Sequence, residues 1–261
     1  MYTETLNQQL EKPNQNNTAY LKQLRQSLTA CSSAETALSM TRFFNHEVNF
    51  IGVKAADIKQ VIHEFQQQHV ELSAEGYLSL TEYILTQAHY TEEVLLAFGL
   101  INKFVKRHFS DDLLLRFEFW LEHYATNWSH VDDLCIKTLY QFMLARPHLI
   151  ENTQHWALSN SPWCRRASCV AWVKFVKRKI GRSVYRLDLA LILNHCDGLL
   201  NDPDPFVQKS VGWLLKVTSV EHEAEVIAYL KANRTNMQRS TVRYAIEKLT
   251  PAVRKSLLAY G

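Results

Sequence analysis

Glycine and proline are scarce in this chain, seven and six among 261 residues. An all-β protein needs turn residues every ~8–12 positions, so the scarcity favours helices. Neither G-x-G-x-x-G nor G-x-x-x-x-G-K-[S/T] occurs, which excludes the common phosphate loops and the nucleotide cofactors they hold. The five cysteines are Cys31, Cys135, Cys164, Cys169 and Cys196, an odd count without a C-x-x-C pair. Neither a disulfide framework nor a zinc site is expected, and a reducing cytosol is the natural compartment. No apolar run approaches the ~18–20 residues of a membrane span, so no membrane partner is expected. The polar opening, rich in Asn and Gln, has no apolar h-region of a signal peptide, and residues 1–17 are expected to be a disordered tail. The eleven histidines show no H-E-x-x-H or comparable spacing, and no metal is expected.

What remains is a chain 47% hydrophobic with a net charge of +3. Segments such as "AADIKQVIHEF", "EEVLLAFGLINKFVKRHF" and "DDLLLRFEFWLEHY" place apolar residues at i, i+3, i+4 and i+7, the period of an amphipathic helix. About a dozen or slightly more such helices follow Tyr20, and no credible strand pair interrupts them. Helices this short, without a sustained heptad, suggest stacked pairs rather than a coiled coil.

A repeat is visible in the second half. "NWSHVDD", "SPWCRRA" and "DPFVQKS" start at Asn127, Ser161 and Asp204, which lie 34 and 43 residues apart. Each start is a helix-capping residue type, followed in two cases by Pro at the first helical position. The spacing suits HEAT-type pairs, so the expected fold is an all-α solenoid of HEAT-like repeats with a concave basic groove, forming one domain over residues 18–261. Five residues after each start stand Asp132, Arg166 and Lys209. Equivalent repeat positions share a surface. Trp128 lies one turn before Asp132, and Trp213 one turn after Lys209. The stretch 161–182 carries seven Lys or Arg and no Asp or Glu, a candidate polyanion-binding face and equally a solvated helix end.

These segments, with "ALSMTRFFNHEVNFIGVKAADI" before them, resemble the DNA alkylation repair family of HEAT-like DNA glycosylases, from about Ser33 to Leu249. The resemblance implies a fold that cradles duplex DNA and excises cationic N3- or N7-alkylated purines without metal or organic cofactor. It assigns the catalytic carboxylate to Asp132 and the flanking indoles to Trp128 and Trp213, and it makes Arg166 a DNA-contacting side chain. Lys209 and some of Lys174, Lys177, Arg178, Lys179 and Arg182 would then follow the phosphate backbone. Phe43 stands where the family carries a Tyr, keeping the aromatic face without its hydroxyl. The expected protein is a monomeric, cytoplasmic enzyme acting on double-stranded DNA.

Other readings of the same residues stay open. Asp133 competes with Asp132 for the groove, although the i, i+4 relation to Trp128 selects Asp132. Of the adjacent Arg165 and Arg166, one is expected to bridge repeats. Trp163 and Phe206 read as helix-start core residues, and Asp197 as structural. Two alternatives to the enzyme share the scaffold: a non-catalytic binder of unusual DNA structures and a protein-interaction solenoid.

Overall fold

The computed structural model describes residues 15–259. Among them the chain is all-α apart from one small antiparallel hairpin. The described residues cluster into two compact units, divided between Phe142 and Met143. Within the N-terminal unit the helices are α1 (Gln15–Ala30), α2 (Ala34–Thr41), α3 (Ala55–Gln68), α4 (Ala74–Gln87), α5 (Thr91–Leu100), α6 (Leu113–His123) and α7 (Trp128–Asp133). A π-helical turn, Leu134–Thr138, continues α7 into α8 (Leu139–Ala145), and the division between the units falls inside α8. Two 3-10 segments, Pro147–Leu149 and Glu151–Leu158, lead to α9 (Pro162–Val170). The hairpin β1 (Lys177–Ile180) and β2 (Ser183–Arg186) follows, and then α10 (Leu189–Leu199), α11 (Pro205–Thr218), α12 (Glu223–Asn233), α13 (Arg239–Ala245) and α14 (Pro251–Leu258).

Helix α1 starts inside the expected tail. Asn17 is buried and donates from Nδ2 to Ser79 Oγ on α4 at 3.2 Å. A buried amide with a partner favours order, so the polar composition does not carry through to residue 17. The rest of the expected tail, residues 1–14, lies outside the described residues.

The expected helix over residues 92–109 ends its regular α-bonding at Leu100. Turns continue it, with Phe104 N–H donating to Ile101 O at 2.9 Å and His108 N–H to Phe104 O at 3.0 Å.

In the N-terminal unit α5 packs against α3, α4 and α7. Its core holds Leu80, Ile84, Phe98, Phe117, Trp120 and Phe142, all buried. Phe117 meets the Trp120 ring edge-on at 5.3 Å and Phe142 at 5.5 Å. In the C-terminal unit α11 packs between α9 and α13. Gly212 permits the second contact, because a Cβ there would stand 2.8 Å from Thr241 O. Trp172 is fully buried, and its indole N–H is satisfied by Ile150 O and Thr153 Oγ1, each at 2.9 Å.

The hairpin overturns the expectation that no strands occur. Its register pairs Lys177 with Arg186 and Ile180 with Ser183, leaving a two-residue turn of Gly181 and Arg182. Gly181 has φ +60°, which a tight hairpin turn requires at its first central position. The basic run 177–182 is therefore a ribbon and not a helix end. Period-3.6 reasoning missed it because each strand is only four residues long.

Candidate active site

The repeat starts read from the sequence do begin helices, α7, α9 and α11. Asn127 caps α7 with its side-chain oxygen accepting from the backbone N–H groups of Ser129 (3.0 Å) and His130 (3.2 Å). Such a cap satisfies donors that a helix start leaves orphaned. Asn127 is fully buried, and its Nδ2 donates to Thr91 Oγ1 on α5 at 3.2 Å. Asp204 caps α11 in the same way, accepting from Phe206 N–H and Val207 N–H at 2.8 and 3.1 Å. Ser161 stands at the cap position of α9 but makes no side-chain capping bond.

Trp128, at the first position of α7, is half-buried. Its indole stacks on the Phe44 ring, 5.0 Å between centroids at an interplanar angle of 16°. Phe44 in turn packs on Phe50 at 5.3 Å. Phe43 is 72% exposed. The structure thus puts Phe44, and not the residue singled out by the sequence motif, against the tryptophan. Adjacent residues in a turn point different ways, and nothing in "RFFNH" distinguishes them.

A buried carboxylate holds the segment carrying these aromatics. Glu92, 1% exposed at the start of α5, accepts from the backbone N–H groups of Ile51 (3.0 Å), Gly52 (2.8 Å) and Val53 (3.1 Å). Three donors satisfy a carboxylate that burial would otherwise penalise heavily. Gly52 has φ +93°, and a Cβ there would lie 2.1 Å from Ser33 O. This is the physical content of the "FIG" motif: only glycine permits both the conformation and the approach. Glu92 was not singled out from the sequence, where its only signal is an acidic pair in a helix's first turn.

Asp132 lies one turn after Trp128 on the same helix face and is half-buried. Asp133 is turned about 100° away and is paired with Lys137. Burial pushes the Asp133 carboxyl above its usual range, against the lowering effect of that lysine. A π-helical turn begins directly after this pair, with Leu139 N–H donating to Leu134 O. Such turns insert a residue into the helix and recur at functional sites.

His130, on the buried side of α7, has its imidazole pKa pulled down to about 3 by burial. Its Nδ1 accepts from Thr126 N–H at 3.2 Å, a bond that only the unprotonated nitrogen can make.

In the C-terminal unit Arg166 and Lys209 occupy equivalent repeat positions but different environments. Arg166 is 5% exposed and donates from Nη1 to Phe206 O at 2.6 Å. Lys209 is exposed, with its ammonium 5.9 Å from the Phe206 ring centroid, at the outer limit of a cation–π contact. Trp213 is half-buried one turn further along α11. Trp163 and Phe206 pack on each other at 5.5 Å and are only half-buried. Arg165 is the bridging arginine: it grips both oxygens of Asp202, at 2.6 and 3.2 Å, and the carbonyls of Ser159 and Asn160. Asp197 accepts from Tyr229 Oη at 2.7 Å.

Stacked helical pairs, capped by side chains at two of the three repeat starts, define an all-α helical-repeat protein. The chain belongs to the DNA alkylation repair enzyme family, whose model matches residues 24–249. Membership makes DNA the partner and alkylation damage the context of its action. No curated protein matches it. Among solved structures, it is similar to a predicted DNA alkylation repair enzyme from Enterococcus faecalis at 19% identity. That match has a TM-score of 0.70 and covers 84% of this chain and 97% of the other. At that identity the likeness is one of fold.

Proposed function

We propose that the protein is a DNA glycosylase that hydrolyses the N-glycosyl bond of cationic N3- or N7-alkylated purines in duplex DNA, with Asp132 as its carboxylate. The observation that carries this reading is the pairing of Trp128 with Asp132, one turn apart on a helix whose start is fixed by the Asn127 cap and the Phe44 stack.

An alkylated purine of this class already bears positive charge. When the C1′–N bond breaks, the base departs with the bonding electrons as a neutral molecule, so no general acid is needed. The sugar becomes oxocarbenium-like, and a carboxylate beside it stabilises the developing charge. Water then forms the new bond to C1′, and Asp132 orients it and takes its proton. Neither a metal nor an organic cofactor has a role in these steps.

Trp128 and Trp213 each offer an indole face, which attracts a cationic base over a neutral one by about 0.5–2 kcal/mol. Lys209 and the exposed hairpin cations contact phosphates, which position DNA without reading sequence. Arg166 donates from Nη1 to Phe206 O at the start of α11, the helix that carries Lys209. The protein acts as a monomer in the cytosol, a compartment that suits its five free thiols.

The test is release of base from a duplex carrying one 7-methylguanine. Asp132→Asn should lower the rate roughly 10²–10³-fold, while Asp133→Asn should retain most of it. Wild-type binding without release would remove the enzyme reading and leave a DNA-structure binder.

A further inference from the structure

The N-terminal unit holds a cavity of about 630 Å³ bounded by α3, α5 and the α7–α8 segment. Small-ligand pockets span roughly 300–1,000 Å³. Ile58, Ile62 and Leu95 give it apolar walls, and Lys59, Lys103, Lys106 and Lys137 bring four ammonium groups from three separate parts of the chain. Asp133 is the one carboxylate lining it, and Lys137 already pairs with that group. Lys59 and Lys106 have no carboxylate partner among the described residues. His63 is the remaining titratable group on the lining.

This excess of cations asks for an anion. A second feature says what else the ligand carries. Asn102 lines the same cavity, and its Oδ1 is buried without a hydrogen-bond partner. An unmet buried acceptor is costly and calls for a donor. Phosphodiester oxygens are acceptors only, so a bare phosphate backbone would serve the lysines and leave Asn102 unmet. A ligand with a phosphate, a flat apolar body and an N–H or O–H donor meets all three demands.

We propose that this cavity binds a nucleoside monophosphate unit, with its phosphate among Lys59, Lys103 and Lys106, its base on the Ile58–Ile62–Leu95 wall, and a donor on Asn102 Oδ1. The unit has two sources, a free mononucleotide or a nucleotide unstacked from a DNA strand. The site is separate from the Trp128–Asp132 face and does not depend on base release.

The experiment is calorimetric titration of the full chain with 2′-deoxyguanosine 5′-monophosphate, deoxyguanosine and inorganic phosphate. Alongside it, paired duplex is compared with a duplex carrying one extrahelical nucleotide. The nucleotide, free or extrahelical, should bind more tightly than phosphate, nucleoside or paired duplex. Lys103→Gln combined with Lys106→Gln should weaken it about tenfold or more. Asn102→Ala should weaken the nucleotide and leave inorganic phosphate unchanged. Asp133→Asn frees Lys137 and should tighten binding several-fold, a gain that a misfolded variant would not give. A response confined to the extrahelical duplex assigns the unit to the DNA strand, and one shown by the free nucleotide assigns it to the cytosolic pool. Binding indifferent to Lys103, Lys106 and Asn102, or equal for phosphate and nucleotide, overturns the proposal. Base release from 7-methylguanine is measured on the same variants, so failure of that activity with nucleotide binding intact would count against the glycosylase reading alone.

Discussion

The Trp128 indole lies on the Phe44 ring, nearly parallel at 16° and 5.0 Å between centroids. One residue opens the helix that carries Asp132, and the other ends the turn that follows α2. The stack therefore ties an N-terminal loop to the face proposed to hold the substrate.

Phe44→Ala should release Trp128 from this stack. Misplacing a substrate-holding group by about 1 Å costs up to ~10²-fold in rate, and a fall of tenfold or more in 7-methylguanine release is expected. Phe43→Ala, at an exposed position, should change stability by less than about 0.5 kcal/mol. Equal activity loss in both variants would show that the stack does not position the site.

Gly52→Ala should destabilise the N-terminal unit by about 1–3 kcal/mol or more. The new methyl would need both a left-handed backbone and room that Ser33 O occupies. Urea denaturation read by tryptophan fluorescence measures this, and a shift smaller than ~0.5 kcal/mol would contradict the account of the "FIG" turn.

Acid should destabilise the folded chain through two buried histidines. Burial lowers the pKa of His130 to about 3 and of His195 to about 4. Unfolded, both protonate near their ordinary value of about 6.5. Below that pH the unfolded chain holds more protons, so stability falls as pH falls, by up to about 1.4 kcal/mol per unit for each histidine. Denaturation midpoints between pH 7 and pH 5 should drop, and His130→Gln should flatten the dependence. An unchanged slope in that variant would mean that His130 is not buried as a neutral ring.

The hairpin should add to DNA affinity without sequence preference. Lys179 and Arg182 are exposed on it, whereas Lys177 is engaged by Glu221 at 2.6 Å. Each phosphate contact contributes about 0.9 to the log–log salt dependence of duplex binding. Replacing Lys179 and Arg182 with Gln should reduce that slope by about 1–2, as measured by fluorescence anisotropy at several salt concentrations. No change would assign the basic run to solvation alone.

Much of this protein can be read along the chain. Scarce glycine and proline, apolar residues at helical spacing, and the starts at Asn127, Ser161 and Asp204 determine where helices begin and which faces they bury. The i, i+4 relation of Trp128 to Asp132 is likewise local, because it is a property of one helix turn. The tertiary structure decided what those rules leave degenerate. Asp133 rather than Asp132 takes Lys137, Phe44 rather than Phe43 meets Trp128, and Arg166 is buried where Lys209 is exposed. Glu92 anchors a loop some forty residues away, and a glycine turn bends a basic run into a ribbon. Periodicity within an element is written in neighbouring residues. The choice between two adjacent side chains depends on which distant element packs against them, and that is settled only when the helices come together.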